Sequence, residues 1–195
     1  VVVIPALTAT HLAATIKRDS SVTSFCMLEG EDHVWPPDVK NIMVPGVLPC
    51  WLEEFSIKID VEQTRARSEE VDVEPDGVHV HPDPRQRGDY GWEKLTSMLQ
   101  EYGYREGRSI FSAPYDWRHG PSHWAKHSWP VLKVKVEGWV AQSGGKPAIF
   151  VADSMGAPYF AAFLLHARGI DAEWKRRHVA GFVCSSPVLA GVRAA

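Results

Sequence analysis

Four short, largely apolar runs constrain this chain more than any other feature: Val1 to Ile4, Ser109 to Ser112, Ala148 to Ala152 and Val179 to Cys184. They are continuous rather than alternating, the pattern of strands covered on both faces in a parallel sheet. Helical patterns fill the intervals. Trp92, Leu95, Leu99 and Tyr102 fall on one face at helical spacing, and Gly103 follows where a helix stop belongs. Between about Pro121 and Gln142, the residues Trp124, Val131, Val134 and Val136 suit a helix that Pro130 should break or kink. From Gly156 to Ala167 the chain is apolar nearly all round, as in a helix buried behind a sheet, and Gly169 caps it. Alternating strands and helices of this kind predict an α/β fold with a mostly parallel sheet.

Residues 17–89 break the alternation. They hold many prolines, the mixed-charge run Glu62 to Glu74, and the alternating Val78-His79-Val80-His81. This stretch is expected to leave the sheet as a lid or membrane-contacting excursion within one domain. The 195 residues suffice for a single core. A net charge of −3 gives no basic face for nucleic acid, and no apolar run approaches the length of a membrane span. Val1-Val2-Val3-Ile4-Pro5 reads as a strand already under way, and Gly191 to Ala195 comes just after another. Residues 1–195 are therefore expected to be the amino-terminal part of a longer domain.

Cys26 and Cys50 lie in loop-like sequence, whereas Cys184 sits in an apolar strand pattern where a thiol behaves as a small hydrophobe. Two loop cysteines fit either one disulfide in an oxidising compartment or two free thiols. Trp35 stands between them with little core to join, so contact with a membrane or lipid surface is expected. The His79/His81 pair on a strand lacks an evident third ligand, and His119, His123 and His127 read as a polar helix face. No metal and no cofactor is expected.

The chemistry concentrates at Ala152-Asp153-Ser154-Met155-Gly156, which follows a strand and precedes a helix. Small residues two positions either side of the serine are what a nucleophile elbow needs, because the turn is too sharp for larger side chains. In an α/β-hydrolase such a turn exposes the serine Oγ and aims the next backbone N–H, here that of Met155, at a developing oxyanion. Pro158 fits the first turn of the following helix, where its missing N–H has no partner to lose. Triad partners should follow in the order acid, then histidine. After Ser154 only His166, on the buried helix, and His178, at the start of a strand, are available, and Asp171 lies at the wrong end.

Several stretches resemble the lecithin:cholesterol acyltransferase family, which includes lysosomal phospholipase and phospholipid:diacylglycerol acyltransferase. The hexapeptide Ala113-Pro114-Tyr115-Asp116-Trp117-Arg118 carries the resemblance most strongly. Glu101-Tyr102-Gly103-Tyr104, Trp174-Lys175 and Ser186-Pro187 also match, and the match is weakest between about Glu62 and Asp89. The sequence departs from the family at Ala6 and Ala9, where glycines are usual, and at Ala152-Asp153, where Gly-His is usual.

The resemblance implies that Ser154 is the nucleophile and that the Met155 and Leu7 amides form the oxyanion site. It implies a lid disulfide between Cys26 and Cys50, closing a loop whose Trp35 contacts lipid, and a structural role for Asp116 and Arg118. It further implies an acyl-enzyme that passes an acyl group from a phospholipid to an alcohol (sterol or diacylglycerol) or to water. The triad Asp and His would come from a downstream segment of the same protein, in a secreted or lumenal compartment. A catalytically incomplete lipid-binding relative and a generic lipase or esterase are the alternatives.

Overall fold

Val2–Ile4 has no polar side chain and is completely buried, so it can only be an interior strand, β1. The structure, a computed structural model, describes residues 1–16, 30–37, 40, 43–59, 72–73, 78–82 and 92–191. The other described strands are β2 (Leu12–Ile16), β3 (Gly30–Trp35), β4 (Lys58–Ile59), β5 (Asp72–Val73), β6 (Val78–Pro82), β7 (Phe111–Ser112), β8 (Ala148–Asp153) and β9 (Val179–Ser185). The described helices are α1 (Val47–Phe55), α2 (Glu93–Glu101), α3 (Pro121–Lys126), α4 (Ser128–Gln142), α5 (Gly156–His166) and α6 (Ala172–His178).

The four predicted runs form one parallel sheet in the order β7-β1-β8-β9. Its register sets Ile4 beside Ala152 and Ala152 beside Cys184. One face of this sheet holds the main core. Val2, Ile4, Phe150 and Ala152 meet Tyr159, Phe160 and Phe163 of α5, with Trp129, Leu132, Val136 and Val140 from one face of α4 and Trp174 from α6. Phe160 stacks on Phe150 at 4.2 Å and meets the edge of Phe182 at 5.0 Å. Each fully buried large apolar side chain of this kind contributes about 1.5–3 kcal/mol, so α5 is held by packing rather than by intrinsic helix propensity.

Two expectations need correction. The break near Pro130 falls at His127, between α3 and α4, and leaves Pro130 in the first turn of α4. A proline there removes no intrahelical bond, so the helix starts afresh instead of kinking. The strands are also not buried on both faces throughout. Ile149 and Val183 project from the face opposite α5 and are 43% and 53% exposed, because no described element covers them.

The described strands of residues 17–89 belong to two small antiparallel sheets, and α1 lies in the same stretch. β2 is central to β3-β2-β6, and β4 pairs with β5. This second layer begins at Leu12, directly after the loop that follows β1. Leu12, Ala14 and Val34 are its buried centre, and Trp35, Cys50, Trp51, Phe55 and Trp117 pack on it.

Candidate active site

β8 leads directly into the elbow. Ser154 has φ 46°, in the left-handed region, and Met155 returns to helical values before α5 begins. A non-glycine residue in that region costs on the order of 1–3 kcal/mol and persists only where its surroundings over-determine it. The constraints here are visible. The Ser154 N–H donates to the Ser185 carbonyl at 2.9 Å, tying the turn to the end of β9. The Ser154 carbonyl accepts from the Ala157 N–H at 3.2 Å. Gly156 allows α5 to lie against β1: a Cβ there would fall 2.5 Å from the Pro5 carbonyl oxygen and 2.8 Å from that of Ile4. Ala152, the other small position, is completely buried.

The same close approach brings the loop after β1 to the elbow. Leu7 and Met155 follow the carboxyl ends of the adjacent strands β1 and β8. Among the described residues, neither backbone N–H is engaged by another protein group. The Leu7 loop is a tight turn, closed by the Ala9 N–H donating to the Ala6 carbonyl at 3.2 Å, with Thr8 at φ 65°. The departures at Ala6 and Ala9 therefore do not coincide with the strained position, which is a threonine.

Trp35 is not isolated. It stacks on Phe55 at 5.5 Å, meets the edge of Trp117 at 5.4 Å, and its Nε1–H donates to the Thr8 carbonyl at 2.8 Å. The large side chains that stand exposed in this layer are instead Met43, Val44, Leu48 and Leu52. Leu48 and Leu52 stand one turn apart on one face of α1, with Val44 in the turn before it, a spacing legible in the sequence. Cys26 lies outside the described residues. Cys50 is in α1, and Cys184 is a free thiol in β9.

The hexapeptide braces the site from the side. Asp116 accepts from Arg118 Nη2 at 2.7 Å and from its Nε at 3.0 Å, and both side chains are nearly buried. Arg118 Nη1 donates to the carbonyl of Phe55, the last residue of α1, at 2.6 Å. That carbonyl is one a helix end leaves without an intrahelical partner. Trp117 Nε1–H donates to the Thr10 carbonyl at 3.1 Å, just beyond the Leu7 loop. Tyr115 stacks on Tyr159 at 4.0 Å, and burial pushes both phenols well above their usual range, so both stay neutral. His119 departs from its predicted place on a polar helix face. It precedes α3, is buried, and stacks at 3.5 Å on His123 with its Nε2 3.5 Å from Asp116.

The later candidates for acid and base sit elsewhere. His178 immediately precedes β9 and its Nδ1 lies 2.7 Å from the Trp174 carbonyl. β9 starts beside Ala148, five strand steps before Asp153, a rise of about 17 Å from the elbow. His166 is exposed in the last turn of α5, and Asp171 caps α6 by accepting from the Trp174 N–H at 2.7 Å. Among the described residues no group of three or more His, Cys, Asp or Glu could hold a metal ion. No described helix is long and apolar enough to cross a membrane.

A parallel sheet flanked by helices, with a strained serine at the strand-to-helix turn, defines an α/β-hydrolase fold. Within that class the chain belongs to the lecithin:cholesterol acyltransferase family, whose model matches residues 31–195. It is 27% identical to the lysosomal phospholipase A and acyltransferase of Bos taurus, covering 98% of this chain and 48% of the relative. It is 30% identical to the lecithin-cholesterol acyltransferase-like 1 protein of Oryza sativa subsp. japonica over 84% of this chain and 38% of that protein. With the phosphatidylcholine-sterol acyltransferase of Oryctolagus cuniculus it shares 25% identity over 94% of this chain and 42% of that protein. The chain thus spans about half the length of these relatives or less.

Proposed function

We propose that this chain carries the nucleophile and oxyanion half of a lipid acyl-transfer enzyme. The observation that carries the reading is Ser154 at positive φ, at the carboxyl end of β8, with the loop after β1 packed against the elbow at Gly156. Ser154 Oγ attacks the ester carbonyl of a phospholipid and gives up its proton to a histidine base. The Leu7 and Met155 N–H groups hold the tetrahedral oxyanion. As the intermediate collapses, the leaving alcohol takes a proton from that histidine and departs as a lysolipid. An alcohol or water then attacks the acyl-enzyme, giving acyltransferase or phospholipase activity. The histidine and its acidic partner come from a downstream segment of the same protein. The positions of His166, His178 and Asp171, and the face bearing Ile149 and Val183 that no described element covers, support this.

Residues 17–89 act as a lid that meets the lipid surface. The exposed Met43, Val44, Leu48 and Leu52 support the lipid contact, with Trp35 in the ring layer behind them. The Cys26–Cys50 disulfide is supported by the family membership of the chain, and Cys184, a free thiol in β9, takes no part in it. A secreted or lumenal location follows from that bond.

An alkyl fluorophosphonate is expected to label the full-length protein at one serine, and the label should vanish in Ser154→Ala. Absence of labelling in the unmodified protein would sink the nucleophile assignment. Non-reducing peptide mapping is expected to recover Cys26 joined to Cys50. Recovery of both as free thiols would remove the lid closure and the argument for an oxidising compartment.

A further inference from the structure

The loop that presents Leu7 does not have the composition to hold its own shape. Thr8 is the third residue of a four-residue turn and has φ 65°. Glycine or asparagine normally occupies a positive-φ turn position, and a β-branched residue is an outlier there. An external restraint must therefore prevent the turn from relaxing. Two indoles reach it from outside: Trp35 Nε1–H binds the Thr8 carbonyl at 2.8 Å, and Trp117 Nε1–H binds the Thr10 carbonyl at 3.1 Å. The two rings meet edge to face at 5.4 Å and share Phe55, so they form a single braced unit.

We propose that Trp35 is a positioning residue of the oxyanion site, its indole N–H holding the Thr8 carbonyl so that the strained turn keeps the Leu7 N–H aimed beside Ser154. The inference rests on the reaction proposed above. Were Thr8 to relax to negative φ, the peptides of the turn would reorient toward another turn type and the Leu7 N–H would shift with them. An oxyanion donor binds the transition state and not the ground state, so its misalignment lowers kcat and leaves KM unchanged. Loss of a whole donor costs about 10²–10³-fold in kcat. Loosening one, with the Trp117 brace still in place, should cost less.

The test uses the full-length protein and a short-chain p-nitrophenyl ester, which needs no lipid surface. Trp35→Phe retains a ring against Phe55 and Trp117 and removes the N–H. Its kcat is expected to fall about 10-fold, by the donor argument above, with KM within about twofold. Trp51→Phe is the control, since the Trp51 Nε1–H donates to the Val34 carbonyl at 2.8 Å in the same ring cluster, away from the loop. It should leave kcat unchanged. Adding Thr8→Gly to Trp35→Phe removes the Cβ that strains the turn and should recover most of the lost kcat. An unchanged kcat in Trp35→Phe, an equal loss in Trp51→Phe, a loss confined to KM, or no recovery with Thr8→Gly overturns the inference. In each of these cases fluorophosphonate labelling of Ser154 in the unmodified protein would leave the proposed reaction standing. Absence of that labelling overturns both.

Discussion

Ser154→Gly is expected to abolish acyl transfer and, at the same time, to make the protein more stable. Activity should fall about 10⁴-fold or more, since loss of the proposed nucleophile would leave only binding and the proposed oxyanion site. Stability should rise by about 1 kcal/mol, because glycine occupies positive φ without the Cβ penalty that Ser154 carries at φ 46°. Ser154→Ala separates the two effects. It loses the same activity but retains a Cβ at the strained position, so it should show no such gain. Urea denaturation of the two variants checks this, and equal stabilities would mean that the elbow stores no strain.

Asp116→Ala should be the most damaging single change outside the elbow. The carboxylate receives two guanidinium nitrogens of Arg118 and the Arg118 backbone N–H, and the facing side chains are only 8% and 5% exposed. Its removal takes the carboxylate away from a buried guanidinium and from His119. Breaking a buried pair in this way costs about 3–5 kcal/mol. The expected readout is a large fall in the urea midpoint with little change in slope. Activity should fall as well, because Arg118 holds the end of α1 at Phe55, whose ring packs against Trp35 and Trp117. Asp116→Asn keeps an acceptor oxygen and should lie between the two. An Ala variant within about 0.5 kcal/mol of the unmodified protein would show that the pair is not a structural support.

The strands were legible because each needed only a local signal, a short apolar run between turn residues. The elbow was legible for a similar reason: Ala152, Ser154, Gly156 and Pro158 are within one turn of each other, and sterics limit what can stand there. Gly156 shows how far such reasoning reaches. Its smallness could be predicted, but the atoms it avoids, the Pro5 and Ile4 carbonyl oxygens, are some 150 residues away in the chain. Trp35 shows where it stops. Flanked by prolines and charges, it reads as a ring without a core. Its neighbours come from α1 and the hexapeptide, and local sequence says nothing about them. The His119 ring is a similar case, drawn inside by Asp116 and His123.

The turn at Ser154 with its flanking small residues, and the parallel character of β1, β7, β8 and β9, were thus determined by the sequence itself, through backbone sterics and hydrophobic patterning. Only the tertiary structure decided that β1 lies next to β8, which brings the Leu7 loop to the elbow. It alone decided that an indole from β3 holds that loop at a strained threonine. The physical reason is that an apolar run specifies burial without specifying its neighbour. A hydrogen bond between Trp35 and Thr8 joins residues 27 positions apart, and no local propensity encodes it.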